Sequence, residues 1–390
     1  MIQNTRLWLG ILAAVLVIPA CSGGSILAEK GNESPQGEGL RVVSWNLQAL
    51  FDGADDGHEY GEYRPDTGWT AEKYQARLNA IAGAIKGSEE NSGLDPDILA
   101  LIEVENPGVL ADLADLAGPE YRWSFFAAAP GAAIGLGALS RFPIIETRAH
   151  SAAVDGENAP RPVAEIRVEH GKEPLVFLIC HWKSKLGGEK KTETARRAAA
   201  AIISRRLDEL AAAEPGLPVI IMGDLNENHD EFLRAGGAYL TALIPGDDEV
   251  AAAAVSGKTA AGRTWTTPAA PVRPRPNFRD FLTLSGERPP RSEFLEGPAL
   301  YSPWMDGRET EEAARGSYHY KDAWETIDHF LLNAAFFDET GWEYGNFSTP
   351  EDPPFRNDQG IPRAYNPRTG SGLSDHLPII LTLDKVLDTR

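Results

Sequence analysis

Cysteine is almost absent from this chain: 390 residues hold two, Cys21 and Cys180, in unlike surroundings. Neither a disulfide framework nor a cysteine-based zinc site can be built from them, so any metal chemistry must use oxygen or imidazole ligands. Positive charge is also short. Lys and Arg total 37 against 57 Asp and Glu, a formal net charge of -20, which excludes a protein that coats nucleic acid or an anionic membrane by general attraction. An anionic substrate must be met locally. The conspicuous apolar run, residues 7–18, is too short to serve comfortably as a permanent membrane span. No internal repeat and no clear interdomain linker occurs. At 42% hydrophobic and 24% charged residues the chain is not globally disordered, and its nine Trp are read mainly as core packing.

The N-terminus has its own logic. Arg6 precedes the apolar run, which ends Ile18-Pro19-Ala20-Cys21 and is followed by Ser22-Gly23-Gly24. The pattern reads as an export signal. Its end resembles the lipobox of bacterial lipoproteins, with Pro19 where a small residue is usual, and the resemblance implies lipidation of Cys21. The expectation is removal of residues 1–20, a flexible tether over 21–39 and a catalytic domain over 40–390, exported to the bacterial cell envelope and lipid-anchored to a membrane. A simple secretory signal with an incidental cysteine is the alternative.

From Arg41 onward short apolar runs alternate with longer helical patterns, which predicts an α/β fold with helices covering a sheet. Residues 42–45, 98–102, 175–179, 218–222, 327–332 and 377–383 read as strands. Tyr74, Leu78, Ile81, Ala82 and Ile85 recur at helical spacing after the cap candidate Thr70. A second helix is read over Thr194 to Ala213, stopped by Glu214-Pro215-Gly216. Residues 228–323, with an alanine run at 251–254 and a Pro/Arg segment at 271–276, give no clear pattern.

Polar residues sit at the ends of those strands. Asn46 follows the first, Glu103 ends the second, His181 the third, and Asp224 and Asn226 follow the fourth. Asp328 lies in an otherwise apolar strand, and Asp375 and His376 open the last. Glu103 and Asn46 offer oxygen ligands suited to Mg²⁺ or Mn²⁺. In extended geometry Asp224 and Asn226 share a face, a carboxylate to take a water proton beside an amide to orient it. A His paired with an Asp, such as His376 with Asp328, is favoured as imidazolium.

The phrases Ser44-Trp45-Asn46-Leu47, Ile102-Glu103-Val104-Glu105-Asn106, His181-Trp182-Lys183-Ser184-Lys185, Gly223-Asp224-Leu225-Asn226, Ile327-Asp328-His329 and Ser374-Asp375-His376-Leu377-Pro378 together resemble the ordered motifs of the endonuclease/exonuclease/phosphatase superfamily. Leu50-Phe51-Asp52, Asp55-Asp56 and Glu62-Tyr63 resemble its secreted bacterial branch. The resemblance implies a four-layer sandwich of two packed β-sheets flanked by helices. It implies Asn46, Glu103 and Asp375 at the metal, Asp224 with Asn226 at the attacking water, and Asp328 orienting His376. His181 matches the deoxyribonuclease and sphingomyelinase branches, where the abasic-site endonucleases carry Tyr. Arg161 is similar to a phosphate-contacting arginine, and Lys183 heads a basic cluster with Lys185, Lys190, Lys191, Arg196 and Arg197 that could collect a polyanion, although its latter half reads more simply as the polar face of the second helix.

The function expected is a Mg²⁺-dependent (Mn²⁺ being possible) phosphodiesterase acting on nucleic acid. A phospholipid or sphingolipid phosphodiesterase and a non-catalytic surface lipoprotein are the alternatives; no feature predicts a protein partner. Singly, each residue has a plainer reading: Asn46 as a turn residue, Glu103 as a helix-start acid, Asp375 as a cap. His329, on the face opposite Asp328, and Cys180 read as structural. The acidic residues Asp52, Asp55, Asp56, Glu59 and Glu62 read as a solvated loop rather than a calcium site.

Overall fold

Strand parity decides the architecture, because successive side chains on a strand point to opposite faces. In the computed structural model, which describes residues 39–87, 93–151, 161–171, 173–246, 280–288, 299–306 and 316–386, the elements run β1 (Leu40–Leu50), α1 (Ala71–Lys86), β2 (Ile98–Val104), α2 (Pro107–Ala117), β3 (Trp123–Ala127), β4 (Gly135–Ser140), β5 (Ile144–His150), β6 (Val163–His170), β7 (Glu173–His181), α3 (Glu189–Ala213), β8 (Val219–Asp224), α4 (Glu231–Arg234), β9 (Leu243–Pro245), β10 (Leu282–Ser285), β11 (Ala299–Tyr301), β12 (Tyr318–Tyr320), β13 (Ala323–Glu325), β14 (Asp328–Leu332), β15 (Trp342–Ser348) and β16 (Ile379–Lys385). The segments read as an export signal and tether up to residue 38, with Cys21, and the alanine and Pro/Arg segments lie outside the described residues.

One sheet has the order β15-β16-β1-β2-β4-β3 and the other β5-β6-β7-β8-β14-β11-β10-β9. Val42, Ile98, Ala100 and Ile102 of the first share a buried cluster with Ile166, Phe177, Ile179, Ile220, Met222 and Phe330 of the second. The residues of opposite parity face outward. Val43, Trp45, Leu99 and Leu101 pack on Leu78, Ile81 and Ile85 of α1 and Leu110 and Leu113 of α2. On the far side Val176, Leu178, Val219, Ile221 and Leu331 pack on Ile202, Ile203 and Leu210 of α3. The result is the expected four-layer sandwich, the central strands of each sheet buried on both faces and therefore continuously apolar in sequence.

The helix boundaries follow local chemistry. Thr70 caps α1 by accepting from the Lys73 N–H (3.4 Å), as expected. The helix α3 begins at Glu189 rather than Thr194. The helix α2 escaped the sequence reading although its signal is present: the Asn106 side chain accepts from Val109 N (3.0 Å) and Pro107 occupies the first turn. Two strand starts also differ. Asp328 opens β14 instead of lying within it, and β16 begins at Ile379, so Asp375 to Pro378 form a loop. Among the described residues no helix is long and apolar enough to cross a membrane.

Candidate active site

At one end of the sandwich the inward-facing positions change from apolar to polar. Leu175, Phe177 and Ile179 point between the sheets, so two residues on His181 does too; Ile220 and Met222 carry the same parity to Asp224, and Leu332 and Phe330 carry it to Asp328. Register then aligns them, with His181 opposite Asp224 on the parallel pair β7/β8 and Asp224 opposite Asp328 on the antiparallel pair β8/β14. Gly223 makes this approach possible. Its φ is +128°, and a Cβ there would lie 2.1 Å from the Cys180 carbonyl oxygen.

The other sheet contributes Asn46, of the same parity as Val42. Glu103 arrives by a different route. Leu99 and Leu101 face outward, and so does Val104, which is out of phase with them by one residue. The extra residue is Glu103, at φ +68° where both neighbouring pairings shift register. That bulge turns a side chain that alternation would send beneath α1 toward the sheet end.

The polar atoms converge. Asn46 donates through Nδ2 to Asp224 Oδ2 (3.0 Å) and toward Glu103 Oε1 (3.4 Å). The His181 Nε2 atom lies 3.6 Å from both carboxylates. The buried Asp328 Oδ2 pairs with His376 Nδ1 (2.8 Å) and accepts from Ser317 Oγ (2.5 Å). The loop carrying Asp375 and His376 is tied down by Ser374 Oγ donating to Asn46 O (2.6 Å) and Trp45 Nε1 donating to His376 O (3.1 Å). The segment Asp224 to Asn226 is not extended throughout. Asn226 takes φ +53°, its N–H bonds Asp224 Oδ1 (2.9 Å), and its Nδ2 donates to Trp182 O (3.2 Å), so a turn rather than alternation brings it beside Asp224.

Burial makes these groups unlike their exposed counterparts. Loss of water, then the nearby Asp328 and Glu103 charges, raises Asp224 to about 7. Burial alone would push His376 down, but Asp328, with help from Asp375 and Asp224, outweighs it and raises the imidazole to about 10. His181 goes the other way, well below the usual imidazole range, because burial is reinforced by Arg161, His376 and Lys183. The site therefore holds one cationic and one neutral imidazole.

Glu103 and Asp375 are both raised by burial, and the Asp375 charge raises Glu103 further. Among the described residues neither forms an ion pair with Lys or Arg; the cation near Asp375 is the His376 imidazolium (4.0 Å), and neutral His181 lies 3.6 Å from Glu103. Crowded carboxylates without a basic partner fit a hard divalent cation. The Asn46 oxygen is engaged by Gln48 N–H (3.0 Å) while its amide nitrogen faces the carboxylates, so the two acids make the stronger part of the donor set. Asp224, Asp328 and His376 also bring ligand-type atoms within 4.8 Å of one another, but the last two are bonded to each other.

Arg161 donates to Trp182 O (2.9 Å), the carbonyl that Asn226 also uses, which puts its charge beside the site. Lys183 is exposed near His181. The basic cluster that follows it is mostly neutralised. Arg196 is fully buried and bonded to Glu193 and Glu227, not on a polar helix face; Lys185 pairs with Glu231 (2.6 Å) and Arg197 with Asp280. His329 is buried against Glu227 O (2.8 Å) and Cys180 is buried in β7. The acidic loop is less solvated than its composition suggests, since Glu59 is buried and accepts from Asp56 N (2.8 Å) and Gly57 N (3.0 Å).

Three supporting residues were missed in the sequence. Ser317, which holds Asp328, carries no signal there. Gln48 takes φ +53°, accepts from Asp375 N (3.0 Å) and Tyr365 N (2.7 Å), and follows the first motif directly. Arg77, fully buried, donates to Leu47 O, Gln48 O (2.8 Å) and Ala49 O (2.9 Å) and lies 3.9 Å from the Tyr365 ring centroid. Its signal was legible: a cation three residues after Tyr74, on the apolar stripe of α1.

The family model for the Endonuclease/Exonuclease/phosphatase family matches residues 41–236. Similar solved structures include truncated Caenorhabditis elegans TDP2, 14% identical over 89% of this chain and 97% of that one with a TM-score of 0.49. D. rerio TDP2 complexed with a single strand DNA product is 13% identical over 88% and 98%, TM-score 0.48. Bacteroides thetaiotaomicron mannosyl-6-phosphatase is 15% identical over 88% and 99%, TM-score 0.46. No curated protein matches the chain.

Proposed function

The chain belongs to the endonuclease/exonuclease/phosphatase family, and on that premise we propose that it is an exported, lipid-anchored, divalent-metal-dependent phosphodiesterase that hydrolyses nucleic acid. Residues 1–20 would be its signal, 21–39 its tether and 40–390 its catalytic domain. The observation that carries the reading is the rung His181-Asp224-Asp328 with His376 bonded to its last member. It supports a carboxylate base and an imidazolium acting together at one sheet end.

The roles follow from the geometry. Water attacks phosphorus in line with the ester oxygen, and Asp224, poised near 7, takes its proton. Asn226, fixed by Trp182 O and the Asp224 carboxylate, orients that water. His376 keeps its Nδ1 on Asp328 and gives its Nε2 proton to the ester oxygen, whose charge grows as the P–O bond breaks. Neutral His181 supplies a second donor, and Arg161 a fixed positive charge. Glu103 and Asp375, with Asn46, would hold Mg²⁺ or Mn²⁺, which supplies neutralisation of the phosphoryl oxygens when bound. Cys21, as the lipidated residue, would keep the domain at the membrane.

The test is a panel of DNA, RNA, sphingomyelin, phosphoinositides and a simple diester, each assayed with Mg²⁺ and with EDTA. Turnover of DNA or RNA that EDTA abolishes is expected. Turnover confined to the lipids would replace the nuclease reading, and turnover of nothing would leave a binding lipoprotein.

A further inference from the structure

One feature beside the site plays no part in that chemistry. Strands β12 and β13 form a two-stranded ribbon apart from both large sheets, closed by Lys321 and Asp322 at φ +47° and +64°, the conformation of a tight two-residue hairpin turn. Register sets Tyr318 opposite Glu325, His319 opposite Trp324 and Tyr320 opposite Ala323, so the ribbon has two unlike faces. His319 and Trp324 meet edge to face at 5.3 Å, Trp324 packs on the cluster that includes Trp45 and Phe355, and the Arg356 guanidinium lies 5.3 Å from the Trp324 centroid. That face is the anchor.

The other face carries Tyr318 and Tyr320, near parallel at 16° with centroids 6.3 Å apart. The Tyr318 ring lies 4.6 Å from the His376 imidazole, and the two backbones form a β-bridge. Tyr320 is 48% exposed, and across the strand Ala323 is too small to cover it. A row of rings thus leads from the catalytic imidazole into solvent.

We propose that Tyr318 and Tyr320 are a stacking ledge for the planar ring next to the scissile phosphate, a nucleobase, and that Tyr320 selects nucleic acid over other diesters. The proposal rests on the phosphodiesterase reading and names the residue that gives it a substrate class. Stacking suits every base because each has a π-face, and Tyr offers a rigid surface at small entropic cost. A quaternary ammonium headgroup would also seek such rings. Here Lys321 Nζ lies 5.0 Å from the Tyr320 centroid and puts a positive charge beside the ring. A cationic headgroup is repelled by it, whereas a nucleotide's next phosphate is attracted.

The experiment compares wild type, Tyr320→Ala and Tyr320→Phe on a short single-stranded oligonucleotide, the same length of abasic oligonucleotide, and a phosphocholine diester in micelles. The readout is the ratio of kcat/KM on base-bearing to abasic substrate. Tyr320→Ala should lower that ratio by at least about fivefold, since loss of a stacking partner costs about 1–3 kcal/mol per base, and Tyr320→Phe should hold it near wild type. An unchanged ratio in Tyr320→Ala overturns the ledge, as does a larger loss on the phosphocholine diester. Wild type that turns over the phosphocholine diester and neither oligonucleotide overturns the nuclease reading and the ledge together, a result distinct from a nuclease with an unmoved ratio.

Discussion

Changing Asp328 to Asn tests whether His376 works as a cation. In the native site burial opposes the charge and the Asp328 carboxylate, 2.8 Å from Nδ1, restores it, so that the imidazole titrates at about 10. Two unit charges roughly 4 Å apart at an effective dielectric of about 20 attract by about 4 kcal/mol, equivalent to about 3 pH units. The amide removes that attraction and leaves burial in force, so His376 should titrate near about 7 or below. At about pH 8 the variant would be mostly neutral where the native enzyme is charged, and kcat should fall by about two to three orders of magnitude. The loss should shrink as the pH drops to about 6 and the imidazole is charged again. Stability follows the same sign. A histidine whose folded value is raised from about 6.5 stabilises fully below the unfolded value and loses this as pH rises through the folded value, here about 10. The Tm difference between native and variant should therefore be largest at about pH 6 and close toward about pH 10. NMR titration of His376 and kcat profiles at saturating Mg²⁺ measure both effects. A kcat loss equal at every pH, or a His376 titration unmoved by the substitution, would refute the reasoning.

Glu103→Gln should weaken metal binding and activity together, with partial rescue by excess Mg²⁺; full activity of the native enzyme in EDTA would contradict this. Asp224→Asn keeps shape and removes the proton acceptor, so turnover should drop by about two to four orders of magnitude while substrate binding, measured by fluorescence anisotropy, survives. Gly223→Ala puts a methyl 2.1 Å from the Cys180 carbonyl oxygen at φ +128°, so urea denaturation should show a loss of about 3 kcal/mol or more. Cys21→Ser should move the protein out of the membrane fraction with its hydrolytic activity intact; an unchanged membrane fraction would indicate another attachment.

The fold was legible because the central strands of both sheets are buried on two faces. Such strands appear as unbroken apolar runs, and six of them could be located, along with the α1 stripe and its Thr70 cap. Strands β3 to β6 and β15 were not located, and the short strands β9 to β13 were not legible, since these hold three or four residues each and carry no period long enough to recognise. The basic cluster misled for a related reason. Sequence shows that Arg196 and Arg197 are cations near His181, but only the fold shows that acids fill their guanidinium positions. Local charge available to a polyanion is therefore smaller than the cluster suggests, leaving Arg161 and Lys183 as the Arg and Lys charges that act on His181.

The site itself divides by backbone geometry. His181, Asp224 and Asp328 sit where alternation along their strands puts them, so inward parity can be counted from the apolar residues beside them. Gln48, Glu103 and Asn226 cannot be counted in this way, because each has φ between +53° and +68°. For a non-glycine residue that conformation costs of order 1 kcal/mol or more and persists only where the surroundings impose it. Here the impositions are visible: Gln48 is held by Tyr365 and Asp375, Asn226 by Asp224 and Trp182, and Glu103 by the register shift between β2 and its two neighbours. At Glu103 the inversion turns toward the common centre a side chain that regular pleating would bury beneath a helix, and at Asn226 one that lies past a strand end. Strain and site coincide because a continuous strand can supply an inward residue only at every second position, and this site draws on Glu103, which lies one position out of phase.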